Sequence, residues 1–328
     1  MNGMNEKLAE INAIIEKHSS FLITSHMDPD GDSIGSQMAL YYSLINRGKK
    51  AIAVNQGAIP AQYSFLDREK IIRFTGDALE FTPEVVVVLE CPLLDRIGFV
   101  RKLIPDSAIL INIDHHNDNE NYGLINVVDE TSSAVAEILY LMFEEDNREI
   151  TPRIAELLYG AIASDTDRFR FESTTARCMS IASKLIEIGA RPKEIADNLY
   201  SGMSPSTVKL LGHTLAGLKT LSGGKIGYFT ITRENVEKSG ASIQNSEGFV
   251  DYILTVDGVR MGFLFKELPE DRVKVSVRTQ NGIDSAVFAS HFNGGGHTNA
   301  AGFIVDGRFD DVVQQVMKKA TEYIGGDD

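Results

Sequence analysis

The 328-residue chain contains no tryptophan and two cysteines, Cys91 and Cys178. They form no CxxC pair and no disulfide framework, which points to a reducing cytoplasm. Cys91 neighbours a residue implicated below, and its expected role is that of a small buried hydrophobe. Long apolar runs are also missing. The longest, Val85-Val86-Val87-Val88-Leu89, has the length of a buried strand, far from the roughly 18 residues a membrane span requires. Residues 1–10 show no basic segment followed by an apolar one, so no secretory signal is expected. Positive charge is scarce: 32 Lys and Arg stand against 46 Asp and Glu, a formal net charge of −14. So acidic a surface argues against a broad basic face for long duplex nucleic acid. It does not exclude a small anionic substrate, because bound metal inverts the charge of one pocket.

What is present is the composition of a globular protein, 43% hydrophobic and 24% charged, with room for two domains. The first half alternates helix-like and strand-like segments. Residues 5–18 carry apolar side chains at helical spacing, 21–24 form a short apolar run, and a Gly/Asp-rich loop leads to a helix over 33–46 with Ser33 as its N-cap. Residues 51–54, 85–89 and 109–113 read as strands, the β-branched runs as strands covered on both faces. Such alternation implies right-handed crossovers and a doubly wound, mainly parallel α/β sheet. Ligands of these sheets bind at the carboxyl ends of the strands. Helical spacing dominates from 132 to about 221, with a helix over 153–163 and breaks at 189–192 and 201–205. Residues 226–231, 259–265 and 273–277 read as strands, 284–291 as a helix, and a last helix covers 309–323. This gives a domain over 1–190, a helical connector over 191–222 and a smaller α+β domain over 223–328.

Four segments concentrate Asp, Glu and His. They are His26-Met27-Asp28-Pro29-Asp30-Gly31-Asp32 after the first strand, Glu90 after 85–89, Asp114-His115-His116 after 109–113, and Asp165-Thr166-Asp167 at the end of the 153–163 helix. Taken singly, the Asp residues around Pro29 and Gly31 could be turn formers and Asp165 a capping group. Taken together, three of the segments sit at strand ends, where one sheet edge collects carboxylates and imidazoles. Carboxylate oxygens with a minority of imidazole nitrogens suit Mn²⁺ or Mg²⁺. Two such ions about 3.5–4 Å apart can bridge a hydroxide and clamp a phosphoryl oxygen. Without metal, converging acids would repel one another. Further on, Gly294-Gly295-Gly296-His297 offers closely approachable backbone N–H groups and a side-chain donor for an anion.

These motifs, in this order over nearly the whole chain, resemble the DHH phosphoesterase superfamily, and more narrowly its members with a C-terminal DHH-associated domain, the NrnA-type oligoribonucleases and linear dinucleotide phosphodiesterases. The resemblance implies His26 and Asp30 as ligands of one metal, Asp32, His115 and Asp165 as ligands of the other, and Glu90 as the bridge between them. It implies that His116 faces the scissile phosphate and that Asp114 orients the neighbouring imidazole. It also implies that Arg278, with Gly294, Gly295, Gly296 and His297, holds a phosphate or terminal nucleotide, so that a short substrate spans a cleft between the domains and is cut from an end. Two positions depart from the pattern: the family usually has Asp at Glu90 and Gly at Asp167. Asp167 is expected to face solvent or pair with Arg168 or Arg170.

The implied activity is a Mn²⁺-dependent phosphodiesterase with two divalent ions, releasing mononucleotides from short RNA or DNA oligonucleotides and linear dinucleotides, with 3′-phosphoadenosine 5′-phosphate as a secondary substrate. Competing readings are cleavage of cyclic dinucleotides, a nucleotide-binding protein with a weakened metal site, and hydrolysis of pyrophosphate or polyphosphate. No membrane and no long duplex partner is expected, and a homodimer is compatible with the sequence. The negative charge then counts against long polyanions rather than against nucleotides.

Overall fold

The computed structural model describes residues 2–74, 79–200, 203–280 and 282–325. The chain divides into two compact units, Met1–Gly202 and Met203–Asp328.

The first unit runs α1 (Asn2–Lys17), β1 (Ser20–Thr24), α2 (Gly31–Asn46), β2 (Lys50–Ala53), β3 (Val85–Leu89), β4 (Ile109–Asp114), β5 (Ile125–Val128), α3 (Val135–Glu145), α4 (Pro152–Asp165), α5 (Ala176–Ile188) and α6 (Pro192–Tyr200). Its five strands pair in the order β2-β1-β3-β4-β5, every pair parallel. The apolar runs are continuous because both faces are covered. Phe21, Ile23, Val85, Val87 and Leu89 join the helical layer. Leu22, Val86 and Val88 pack with Ile97 and Val100 from the 3₁₀ segment Leu94–Leu103. Cys91 is buried in that second layer. The edge strand β5 was not legible in the sequence: it is four residues long, interrupted by Asn126, and only alternate residues are buried.

Two local features place the later chemistry. The expected N-cap of α2 is corrected by the structure: Asp30, not Ser33, caps the helix. Asp30 Oδ1 accepts from Ser33 N at 2.9 Å, and Ser33 Oγ accepts from Asp30 N at 2.8 Å, so Ser33 is the third helical residue of a reciprocal capping box. Glycine then lets α2 approach α4 closely. A Cβ on Gly35 would lie 2.8 Å from both Ala161 Cβ and the Leu157 carbonyl oxygen, and one on Gly31 would lie 2.2 Å from Ser164 Oγ. The two helix ends carrying Asp32 and Asp165 are thereby drawn together.

The second unit runs α7 (Pro205–Ala216), β6 (Lys219–Leu221), β7 (Ile226–Ile231), α8 (Arg233–Ser239), β8 (Met261–Leu268), β9 (Arg272–Thr279), α9 (Ser285–Ser290), β10 (Gly295–His297), β11 (Ala300–Asp306) and α10 (Phe309–Gly325). The stretch 191–222 thus contributes α6 to the first unit and α7 with β6 to the second. The strand order is β10-β11-β9-β8-β7-β6, with β7 and β8 parallel and the other pairs antiparallel. One face packs Phe263, Val275 and Val277 against α9 and α10; the other packs Phe229 and Leu264 against Phe249 and Ile253. The glycine segment pairs as β10 with β11. Among the described residues no helix is long and apolar enough to cross a membrane.

Candidate metal centre

In the order β2-β1-β3-β4-β5, the chain leaves β1 to one side for β2 and resumes on the other side at β3. The carboxyl ends of β1 and β3 therefore flank the reversal point where doubly wound sheets bind ligands. His26 and Asp30 follow β1, Glu90 follows β3, and Asp114 ends β4 with His115 and His116 behind it. Asp32 comes from the first turn of α2 and Asp165 from the last residue of α4.

The structure brings these side chains into three overlapping groups whose ligand atoms lie within 4.8 Å of one another: His26, Asp30 and Glu90; Asp32, His115 and Asp165; and Glu90, His115 and His116. His26 Nε2 is 2.8 Å from Glu90 Oε2, His115 Nε2 is 3.6 Å from Asp165 Oδ2, and His116 Nε2 is 4.0 Å from Glu90 Oε1. Asp28 is in none of these groups. Asp95, the nearest aspartate after Glu90, is exposed and pairs with Arg101.

Each ring is set by a neighbour. His115 Nδ1 lies 3.2 Å from the Ser132 carbonyl, which can only accept, so Nδ1 is the donor and Nε2 is the ring nitrogen that faces Asp165. Asp114 Oδ1 accepts from His116 Nδ1 at 2.7 Å and from His115 N at 2.8 Å. Burial alone would raise the Asp114 carboxyl, but the bonds from His116 and Asn119 outweigh it and hold the group below its usual range. Asp114 is therefore an anionic acceptor that fixes His116. Asn55 and Gln37 exchange amide bonds beneath the first loop, and Asn55 Oδ1 accepts from Ser25 N at 3.2 Å. Asp32 is fully buried; its Oδ2 accepts from Val135 N at 2.6 Å and its Oδ1 from Ala136 N at 3.1 Å and Ser36 Oγ at 2.8 Å. Of these supports, Ser132, Val135 and Ala136 act through backbone atoms and so carry no sequence signal, and Asn55 and Asn119, which act through side chains, were not singled out from the sequence.

The donor set fits divalent metal. Burial, reinforced by the charges of Asp30, Asp32, Asp165 and Asp114, pushes the Glu90 carboxyl well up. Burial, then Asp32 and Asp30, does the same to Asp165, and burial raises Asp32 as well. Acids so placed need a cation or protons to share the space. The buried His26 Nδ1 has no hydrogen-bond partner, and burial lowers that imidazole's proton affinity, as suits a neutral ligand nitrogen. The oxygen-rich set with imidazoles matches Mn²⁺ or Mg²⁺ better than thiolate-seeking ions.

Both departures noted in the sequence are left-handed in backbone. Glu90 has φ 51° and Asp167 φ 42°, followed by Arg168 at 65° and Phe169 at 62°. Glycine takes this region freely, whereas Asp167 holds it with a side chain. Here Asp167 pairs with both Arg168 (2.8 Å) and Arg170 (2.9 Å). Cys91 donates to the Leu93 carbonyl, and burial pushes its thiol up to about 12, so it is an inert core group.

In the second unit, Arg278 lies on β9 between Gly262 of β8 and Ala300 of β11, with its Nε 2.6 Å from Asp251 Oδ1. Asp251 was not singled out from the sequence. Gly294 and Gly296 are glycines by packing: a Cβ would meet the Gly302 carbonyl oxygen at 2.4 Å and the Ala300 carbonyl oxygen at 2.4 Å respectively. Gly295 meets nothing within 4 Å, so packing does not require it and its bare backbone stays approachable. The side chain of His297 lies outside the described part of the structure.

Family comparisons agree with this architecture. The model of the DHH family N-terminal domain matches residues 20–162, and that of the DHHA1 domain matches residues 223–326. The chain is 32% identical over 92% of its length to the bifunctional oligoribonuclease and PAP phosphatase NrnA of Thermus thermophilus, covering 89% of that protein. It is 27% identical over 89% of its length to the protein of the same description in Bacillus subtilis, covering 91% of it. The crystal structure of an exopolyphosphatase-related protein from Bacteroides fragilis superposes with TM-score 0.91 at 26% identity, covering 97% of this chain and 96% of that one.

Proposed function

The chain belongs to the DHH family, with a DHHA1 domain behind the DHH domain, and from that membership we propose that this hydrolase is a Mn²⁺-dependent phosphodiesterase that degrades short oligonucleotides and linear dinucleotides to mononucleotides from an end. The relatives described as oligoribonuclease and PAP phosphatase support both this activity and 3′-phosphoadenosine 5′-phosphate as a second substrate. The observation that carries the reading is the convergence of His26, Asp30 and Glu90 with Asp32, His115 and Asp165, two triads meeting at Glu90 and His115.

His26, Asp30 and Glu90 would hold one ion, and Asp32, His115 and Asp165 the other, with Glu90 between them. When bound, the ions supply an activated water and neutralise charge on the phosphoryl group. The chain's own residues do the rest. Asp114 keeps the His116 proton on Nδ1, so that Nε2 is available to the reacting phosphate as a proton acceptor or, once protonated, as a donor to the leaving oxygen. Arg278 offers a guanidinium already poised by Asp251, suited to a terminal phosphate, and the bare backbone at Gly295 is open to an anion in the same unit. End recognition of this kind limits the substrate to short strands, as does the net charge of −14.

The test is incubation of purified protein with Mn²⁺ and a 5′-phosphorylated dinucleotide. Release of two mononucleotides is expected, with the rate falling as the oligomer lengthens. Folded, metal-loaded protein that releases none would refute the reading. Phosphate release from polyphosphate in its place would instead favour the chemistry in the description of the Bacteroides fragilis relative.

A further inference from the structure

We propose that Arg177, in the first turn of α5, is a positioning residue for one half of the metal centre: its guanidinium clamps the segment 129–137, and that segment orients both Asp32 and His115. The inference rests on the reading that the two triads hold divalent ions. It adds that one ion depends on a side chain that touches no ligand.

The segment joins the end of β5 to the first turn of α3. It meets Asp32 through Val135 N and Ala136 N, at 2.6 and 3.1 Å. It meets His115 through the Ser132 carbonyl, at 3.2 Å. Two of the three side chains in the Asp32–His115–Asp165 group are thus aimed by backbone within residues 132–136. The His26–Asp30–Glu90 group is aimed by other means: Asp30 caps α2, and the chain before His26 is tied to Asn55.

One planar group spans the segment. Arg177 Nη2 lies 2.8 Å from Asp129 Oδ2 and 2.9 Å from Ser132 Oγ, and Arg177 Nε donates to Glu137 Oε1. Glu137 is fully buried, and its second oxygen accepts from Ser133 N at 2.9 Å and Ser133 Oγ at 2.7 Å. Asp129 and Ser132 are also bonded directly, Ser132 Oγ donating to Asp129 Oδ2 at 2.8 Å, and the guanidinium ties that pair to Glu137 at the end of the segment. Its planar fork presents Nε and Nη2 to two carboxylates in a fixed geometry, which a lysine ammonium, a point charge on a flexible stem, does not reproduce. Were Arg177 only a surface ion pair, it would have no reason to bridge a buried acid and the residue whose carbonyl sets His115. Removing it leaves Glu137 as a buried charge without its cation, and the segment must rearrange to hydrate it.

The test is calorimetric titration of Mn²⁺ into metal-free wild type, Arg177→Ala and Arg177→Lys, with electron paramagnetic resonance to count coupled and isolated ions. Wild type is expected to take two ions. Both variants should keep one ion at wild-type affinity and bind the second about 10- to 100-fold more weakly, a typical penalty for disturbing the support of a ligand. Isolated Mn²⁺ should then dominate the spectrum at limiting metal. Arg177→Lys retains a charge for Glu137 and carries the test if Arg177→Ala does not fold. Unchanged affinity for both ions overturns the clamp, and so does equal weakening of both, which marks a general structural role. A folded wild type that takes up no ion overturns the metal reading itself, and the clamp with it.

Discussion

Replacing Gly35 with alanine is a sharp test of how the centre is assembled, because two ordinary effects of that substitution oppose each other. Gly35 lies inside α2, where alanine favours the helix by about 1 kcal/mol. Against this, the new methyl group would sit 2.8 Å from Ala161 Cβ and from the Leu157 carbonyl oxygen of α4. Non-bonded carbons prefer about 3.5–4.0 Å, so α2 and α4 must separate by roughly 0.7 Å or more. Overpacking of this kind costs about 1–3 kcal/mol, which equals or exceeds the propensity gain. The net loss is up to about 2 kcal/mol, or a fall of roughly 4–8 °C in melting temperature for a unit of this size. The second consequence is more telling. Asp32 stands one turn before Gly35, and Asp165 one turn after Ala161. Metal ligands tolerate displacement of only about 0.2 Å, so the separation should spoil the Asp32–His115–Asp165 group. The assay is thermal unfolding in chelator and in saturating Mn²⁺. The variant should melt lower than wild type in chelator, and the upward shift produced by Mn²⁺ should shrink. A melting temperature raised as helix propensity alone demands, with an unchanged Mn²⁺ shift, would refute the close-packing argument.

Two further outcomes follow from the electrostatics. In metal-free protein the Glu90 carboxyl is held well above its ordinary range, first by burial and then by its acidic neighbours. The folded state therefore binds this proton over a pH range where the unfolded chain has released it, and stability falls as pH rises through that range. Glu90→Gln should raise the metal-free melting temperature at alkaline pH, with the advantage shrinking as the pH falls; a difference that does not change with pH would contradict this. Burial of His26 works in the opposite sense on acidification, and because its Nε2 lies 2.8 Å from Glu90 Oε2 the pH trend belongs to the pair. His116→Ala should lower kcat by about 100-fold or more while leaving Mn²⁺ stoichiometry unchanged in calorimetry. Loss of an ion together with activity would reassign His116 as a ligand.

Much of this protein is readable without coordinates. The run Val85–Leu89 could only be a strand covered on both faces, and the alternation around it a doubly wound sheet. Acids and imidazoles at the ends of three such runs then had to meet along one edge. The misses have physical reasons. Ser33 and Asp30 are both good capping residues, and only the backbone geometry shows Asp30 at the cap with Ser33 answering it three residues later. The strand Ile125–Val128 buries only alternate residues at a sheet edge, too brief a pattern to separate from a loop. The glycine segment pairs as a strand because Gly294 and Gly296 let it lie against Gly302 and Ala300, a contact between residues the sequence does not connect.

The division between the two levels follows from what each kind of interaction depends on. Residue type and spacing determined the α/β class, the family and the set of metal-seeking side chains, because hydrophobic period and ligand chemistry are local properties of the chain. The tertiary structure alone decided how these side chains are grouped and aimed. It brought Asp32 within reach of Asp165 through the α2–α4 approach, kept the His115 proton on Nδ1 through the Ser132 carbonyl, and tied that carbonyl to Arg177. Those links run through backbone atoms and through residues more than a hundred positions apart, such as Asp32 and Val135. A backbone N–H or C=O is present at nearly every position, so nothing in a one-dimensional sequence marks which of them will face a ligand.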